Sequence, residues 1–160
     1  MTDDIYRLCS DLVDETVAAI PTLATYLGIP GYDHLWEDFS LEGMERLGDM
    51  FRDQRRRVLE VPESDDPWNA LARQVALEEV DRSIADYDAE EYLLDLNSLA
   101  STLQDMRDIF EQMDYATEPG WRDVVSRLNG LPTAAAQYVS RLEHARHQGK
   151  VVAQRQVLEG

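Results

Sequence analysis

Three histidines are the first candidates for chemistry in this 160-residue chain: His34, His144 and His147. His144 and His147 stand three apart, so on a helix they share a face, and two imidazoles can begin a zinc site. A zinc peptidase motif needs more, and neither Glu-x-x-His nor His-Glu-x-x-His occurs in the chain. Glu143 is adjacent to His144 and so points to a different face. Solvated surface histidines are the better reading, and His34, next to Asp33 in an acidic loop, reads the same way.

Carboxylates and nucleophiles yield no constellation either. Asp86-x-Asp88-x-Glu90 has the opening of a calcium loop, but the sixth position is Glu91 where glycine is required and the twelfth is Asn97 where a bidentate Glu is required. Glu78-Glu79, Glu90-Glu91 and Asp65-Asp66 are adjacent pairs that diverge on a helix and make no acid/base dyad. No Gly-x-Ser-x-Gly, Walker loop or dinucleotide fingerprint is present. The single Cys9 reads as a small core residue and cannot form an internal disulfide. Arg55-Arg56-Arg57 reads as a neutralising run among Asp49, Asp53 and Glu60, at a few tenths of a kcal/mol per pair. Catalytic, cofactor and metal residues are therefore assigned to none of this chain.

One segment differs from its surroundings. Between Leu96 and Phe110 the uncharged polar residues Asn97, Ser98, Ser101, Thr102 and Gln104 gather in a chain otherwise dense with charge. On a helix, Asn97, Ser101 and Gln104 line one side and Arg107 extends the row. Such a row either lines a groove for a peptide or carboxylate, with Asn97, Gln104 and Arg107 as substrate-channel candidates, or hydrogen-bonds a neighbouring helix.

Charge narrows the partners. The formal balance is −17, and residues 1–120 hold 29 Asp and Glu against 9 Lys and Arg, a balance of −20. Residues 121–160 hold 6 Lys and Arg against Asp123, Glu143 and Glu159, a balance of +3. Fields of that sign repel nucleic acid and anionic lipid over a Debye length, ~8 Å at physiological salt. The longest uncharged stretch, Thr16 to Tyr32, is broken by Pro21, Gly28, Pro30 and Gly31, so it is no membrane span. Met-Thr-Asp-Asp is acidic where a secretory leader is basic, and the expected location is the cytoplasm.

The elements that must position these residues are helices. Apolar residues recur at three and four almost throughout, and 44% hydrophobic content is enough for a packed core. Ile5, Leu8, Leu12, Val13, Val17 and Ile20 form a first stripe, capped by Thr2 and interrupted by Pro21; Leu27 to Asp33 is a loop. Ser40 caps a second helix with Leu41, Met44, Leu47, Phe51 and Val58, in which Gly43 and Gly48 each cost about 1 kcal/mol relative to Ala. Asp66-Pro67 starts a third, bearing Trp68, Leu71, Val75, Val80, Ile84 and Tyr87. Asn97 and Ser98 cap a fourth running to Met113. Thr117-Glu118-Pro119 starts a fifth that Asn129-Gly130 ends, and Pro132 opens a sixth that closes at Gly149. The expectation is an all-α array of about six amphipathic helices in one region, 1–160. Val151, Val152, Val157 and Leu158 read as the start of a further element left incomplete at the C-terminal end.

Four pieces, in order, carry a resemblance. They are Pro21 to Gly28 followed by Tyr32-Asp33; Leu96 to Met113; Trp121 through Arg127-Leu128 with Pro132; and Gly149-Lys150-Val151 leading into Arg155-Gln156-Val157. Together they resemble the N-terminal part of the bacterial domain-of-unknown-function family 885, whose members look like relatives of the gluzincin zinc metallopeptidases. The resemblance implies an all-helical fold around a substrate channel, with the His-Glu-x-x-His helix and a later Glu ligand well downstream. Zinc would then belong to a full-length parent and not to this chain, which would be catalytically inactive alone, and the partner would be the remainder of that parent. The alternative is a free-standing acidic helical module that binds a basic or helical protein.

Overall fold

The computed structural model describes residues 4–97 and 100–154. Among them are six α-helices, two 3-10 turns and no strand: α1 (Asp4–Ala19), α2 (Pro21–Leu27), α3 (Leu41–Glu60), α4 (Pro67–Asp88), a 3-10 turn at Glu91–Leu93, α5 (Thr102–Asp108), a 3-10 turn at Ile109–Gln112, and α6 (Glu118–His147). The fold is all-α, and no helix is long and apolar enough to cross a membrane among the described residues.

Three of the expected helix starts carry the expected chemistry. Ser40 Oγ accepts from Gly43 N at 3.0 Å, and Asp66 Oδ1 accepts from Trp68 N at 2.8 Å with Pro67 in the first turn. Thr117 Oγ1 accepts from Gly120 N at 3.2 Å, with Pro119 behind it. Each satisfies an N–H that the helix itself leaves without an acceptor. Thr2, expected to cap the first helix, lies outside the described residues.

α3 and α4 form an antiparallel hairpin: Gly48 faces Tyr87, Arg52 pairs with Asp88 at 2.6 Å, Arg55 with Asp81 at 2.5 Å, and Arg73 Nε donates to Val61 O at 3.2 Å. α1 lies across the hairpin. Ile5, Leu12 and Val58 are buried together there, with Cys9 half-buried beside them and the Gln54 amide donating to Leu12 O at 3.3 Å. Burial raises the Cys9 thiol above its ordinary pKa, the environment of a small core residue. The Arg55–Arg57 run reaches Asp53, Glu60, Asp81 and Glu15, so it neutralises neighbouring acids.

A second core forms around α6, where Phe39, Met106, Ala134 and Tyr138 pack with Trp36, Leu131 and Leu142. Here the structure departs from the sequence reading. The fifth and sixth helices are one 30-residue helix with Pro132 inside it. Buried positions Gly120, Val124, Arg127, Ala134, Tyr138, Arg141 and Ala145 keep one phase through the proline, at steps of three, four and seven. Docking of that continuous stripe holds the two halves in line. Pro132 removes the donor for the Leu128 carbonyl and crowds it, which loosens the ladder at that turn. The indole of Trp36 occupies the same turn, donating to the Arg127 carbonyl at 2.7 Å. A Cβ on Gly130 would meet Trp36 Cδ1 at 2.9 Å, so the residue read as a helix terminator instead lets the indole close on the helix.

The fourth helix is also shorter than its pattern. α5 begins after Ser101 and gives way to the 3-10 turn at Ile109. Asn97 precedes it in a turn of its own, its side-chain Oδ1 accepting from Ala100 N at 2.8 Å. Ser98, the other expected cap, lies outside the described residues, as do Val157 and Leu158.

A polar cavity and an apolar groove

Asp95, in the segment between α4 and α5, organises the polar residues singled out by the sequence. Its Oδ2 accepts from Thr102 N at 3.1 Å and from the Thr102 hydroxyl, and its carbonyl accepts from Tyr138 Oη at 2.6 Å. Of the substrate-channel candidates, Asn97 and Gln104 are brought together: Gln104 Nε2 donates to Asn97 O at 3.0 Å, and Ser101 Oγ donates to Gln104 Oε1. Arg107 lies away from them, exposed, with its Nε donating to Asp108 at 2.7 Å. The row therefore does not run along one helix, because Asn97 sits before α5 begins.

The same cluster contains a residue that the sequence reading passed over. Arg141 projects from the buried stripe of α6 and is 3% exposed. Its contacts with oxygen are long for a charged donor, Nη2 to Thr102 Oγ1 at 3.4 Å and to Asp95 Oδ2 at 3.8 Å, and Nη1 meets only the weak acceptor Met44 Sδ at 3.3 Å. Nε is buried with no partner. The guanidinium lies 5.4 Å from the Tyr138 ring centre and 6.0 Å from that of Tyr92. Burial lowers its pKa, and Asp95 opposes that shift. Buried charge normally needs full hydrogen bonding, so this one is under-compensated.

Arg141 borders a cavity of about 480 Å³ at the junction of the two cores. Ile20, Phe39, Met44, Leu47 and Met50 supply apolar walls, and Glu37, Asp38 and Asp95 supply carboxylates. Asp38 is satisfied by Ser40 N at 3.0 Å, Gln137 Nε2 at 2.8 Å and Arg46. Glu37 is half satisfied. Thr22 Oγ1 donates to its Oε1 at 2.7 Å, while Oε2 is buried without a partner. Burial raises its pKa above the ordinary glutamate value, only partly offset by the Thr22 hydrogen bond.

A second feature is apolar. α1, α2 and α4 leave an apolar groove of about 710 Å³ between them. Trp68, Leu71 and Val75, the first half of the α4 stripe, line it, with Trp68 71% and Val75 56% exposed. Val13 and Leu27 face it from the other wall. Periodicity marked these positions as core. Of that stripe only Val80, farther along α4, is buried.

The histidines do not converge with any of this. His34 and His147 are exposed, and His144 Nε2 lies 2.8 Å from Gln148 Nε2 on the surface of α6. Among the described residues no three His, Cys, Asp or Glu side chains come together to hold a metal ion.

The geometry defines an all-helical protein with an open apolar groove and a cavity bordered by an under-compensated arginine. Residues 21–160 match the family described as bacterial protein of unknown function (DUF885), and the chain belongs to that family. No curated protein matches it. The match spans all four sequence pieces; within the last, Arg155-Gln156-Val157 lies outside the described residues.

Proposed function

We propose that this chain is the N-terminal helical region of a zinc metallopeptidase-like protein, inactive alone because the zinc-binding motif lies outside it. The observation that carries the reading is the α1–α4 groove. Its exposed Trp68, Leu71 and Val75 share one face of α4, away from the buried Asn69 and Val80, and such a continuous exposed apolar face is the pattern of a surface built to be covered by more protein. Membership of the family agrees with it, and the resemblance to gluzincin peptidases read from the sequence implies a helical surround and a zinc helix elsewhere. The remainder of the parent chain is then the partner that covers the groove, in a cytoplasmic hydrolase.

The test is the intact mass of the native gene product from its own cells, with zinc quantified in the same preparation. A mass several times 18.3 kDa with about one zinc per chain is the expected result. A native mass near 18.3 kDa, or a longer product without zinc, overturns it.

One observation favours a second reading. The balance of −20 over residues 1–120 suits a free-standing module that binds a basic or amphipathic helical partner through the same groove. Its binding would weaken steeply with added salt, and salt-independent binding would count against it.

A further inference from the structure

α6 carries a second apolar row beside the buried one. Trp121, Val125, Leu128, Pro132, Ala135 and Val139 follow at steps of four, three, four, three and four, the spacing of a helix-pairing seam. Trp121, Val125, Leu128 and Val139 are each about half exposed, Pro132 is exposed, and only Ala135 leans on the core. The face around this row is uncharged. Between Val124 and Leu142 the only charged residues are Arg127 and Arg141, and both are buried. The exposed polar residues there are Ser126, Asn129, Thr133 and Ser140, in a chain of which 29% is charged.

We propose that α6 is the surface on which a second copy of this chain docks, the two α6 helices packing antiparallel about a two-fold axis level with Gly130. Two observations select this occupant. The first is charge. Residues 1–120, at a balance of −20, repel a second copy, and the uncharged face of α6 is where two copies meet without that cost. Each end of the row holds one acid and one base: Glu118 pairs with Arg122 at 2.5 Å, and Glu143 stands one turn from Arg146.

The second observation is symmetry. A two-fold interface needs a patch that is complementary to itself. Reflected through Gly130, the row pairs Trp121 of one copy with Val139 of the other, Val125 with Ala135, and Leu128 with Pro132. Each larger side chain meets a smaller one, which lets the two helices interdigitate. A single-helix seam about 27 Å long makes a small interface, so the dimer is weak and reversible. The inference is independent of the groove and of both readings of it, since no α6 residue lines the groove.

The experiment is sedimentation equilibrium of the 160-residue chain from about 10 µM to 1 mM, at low and at physiological salt. The expected result is a monomer–dimer equilibrium that tightens as salt rises, because salt screens the repulsion between two acidic copies. Val125→Glu should weaken the dimer at least about tenfold, the scale of burying one unpaired charge, with the urea midpoint unchanged. Trp68→Ser with Val75→Ser, in the groove, should leave the dimer unchanged. Trp121→Glu and Val139→Lys should each be monomeric alone and form a heterodimer when mixed. A parallel arrangement cannot do this, because it leaves the two sites about 27 Å apart. A chain that is monomeric at every concentration, a dimer that survives Val125→Glu, a dimer lost in the groove variant, or a mixture of the two charge variants that stays monomeric would each overturn the proposal.

Discussion

Trp36 and Arg127 hold each other twice: the indole N–H donates to the Arg127 carbonyl at 2.7 Å, and the Arg127 guanidinium lies 5.6 Å from the indole ring centre. The pair fastens the segment between α2 and α3 to the turn of α6 that Pro132 weakens. Trp36→Phe keeps most of the apolar area and removes the donor. The expected loss is about 1–2 kcal/mol, the scale of a carbonyl left unmatched, read from the shift of the urea midpoint at unchanged slope.

Arg127 itself is fully buried and donates to Leu35 O at 3.1 Å, Thr25 Oγ1 at 2.9 Å and Tyr32 O at 3.2 Å. Its side chain replaces the backbone ladder that residues 28–40 lack. Arg127→Met fits the space but orphans three acceptors, so a loss of roughly 3 kcal/mol or more is expected. Limited proteolysis should then cut first between Gly28 and Asp38; preferred cleavage elsewhere would refute this role for the guanidinium.

Gly48→Ala sets two effects against each other. Alanine gains about 1 kcal/mol in helix propensity. Its Cβ, however, would lie 2.7 Å from the Tyr87 ring, which is stacked on Tyr92 at 5.4 Å and covered by Arg52 at 5.0 Å. With the ring held on both sides, overpacking of ~1–3 kcal/mol wins and thermal unfolding should occur at a lower temperature.

The Glu37 carboxyl gives a pH dependence of definite sign. Its folded pKa lies above the unfolded value of about 4.5, so the folded state holds the proton more tightly. Stability from this group is present below the unfolded pKa and is lost as pH rises through the folded one. Asp105, also raised by burial, contributes in the same direction, and Asp38, lowered by its hydrogen bonds, in the opposite one. Glu37→Gln should therefore gain on the parent chain as pH rises from about 4 toward 7, measured as the difference between their urea midpoints. A difference that stays flat across that range would refute the sign.

For the groove, Trp68→Ser combined with Val75→Ser should change folding stability by only about 0.5 kcal/mol, because both side chains are largely exposed. Binding of an apolar dye should drop severalfold in the same variant. A stability loss several times larger would show that the groove closes in solution.

Legibility in the sequence was uneven for identifiable reasons. Helix starts at Ser40, Asp66 and Thr117 were readable because a cap is a local device, complete within four residues. The break assigned at Asn129-Gly130-Leu131-Pro132 was wrong, although those residues do favour a break locally. The signal that overrides them was present: the stripe from Val124 through Ala134 to Ala145 keeps its phase across Pro132, and a true loop has no reason to preserve it. Following that stripe also passes through Arg127 and Arg141, which charge alone marks as surface residues. Asn97 and Gln104 do meet, by a backbone turn and not by helical spacing.

By itself the sequence determined an all-helical fold, its family, its acidity and the lack of a zinc peptidase motif, because composition, period and short motifs are properties of the chain alone. Tertiary structure decided which apolar stripe is covered and which charge is buried. Trp68 and Arg141 lie at equally helical spacings, yet the tryptophan is open and the arginine is enclosed, since burial depends on what packs opposite a helix and not on the helix itself.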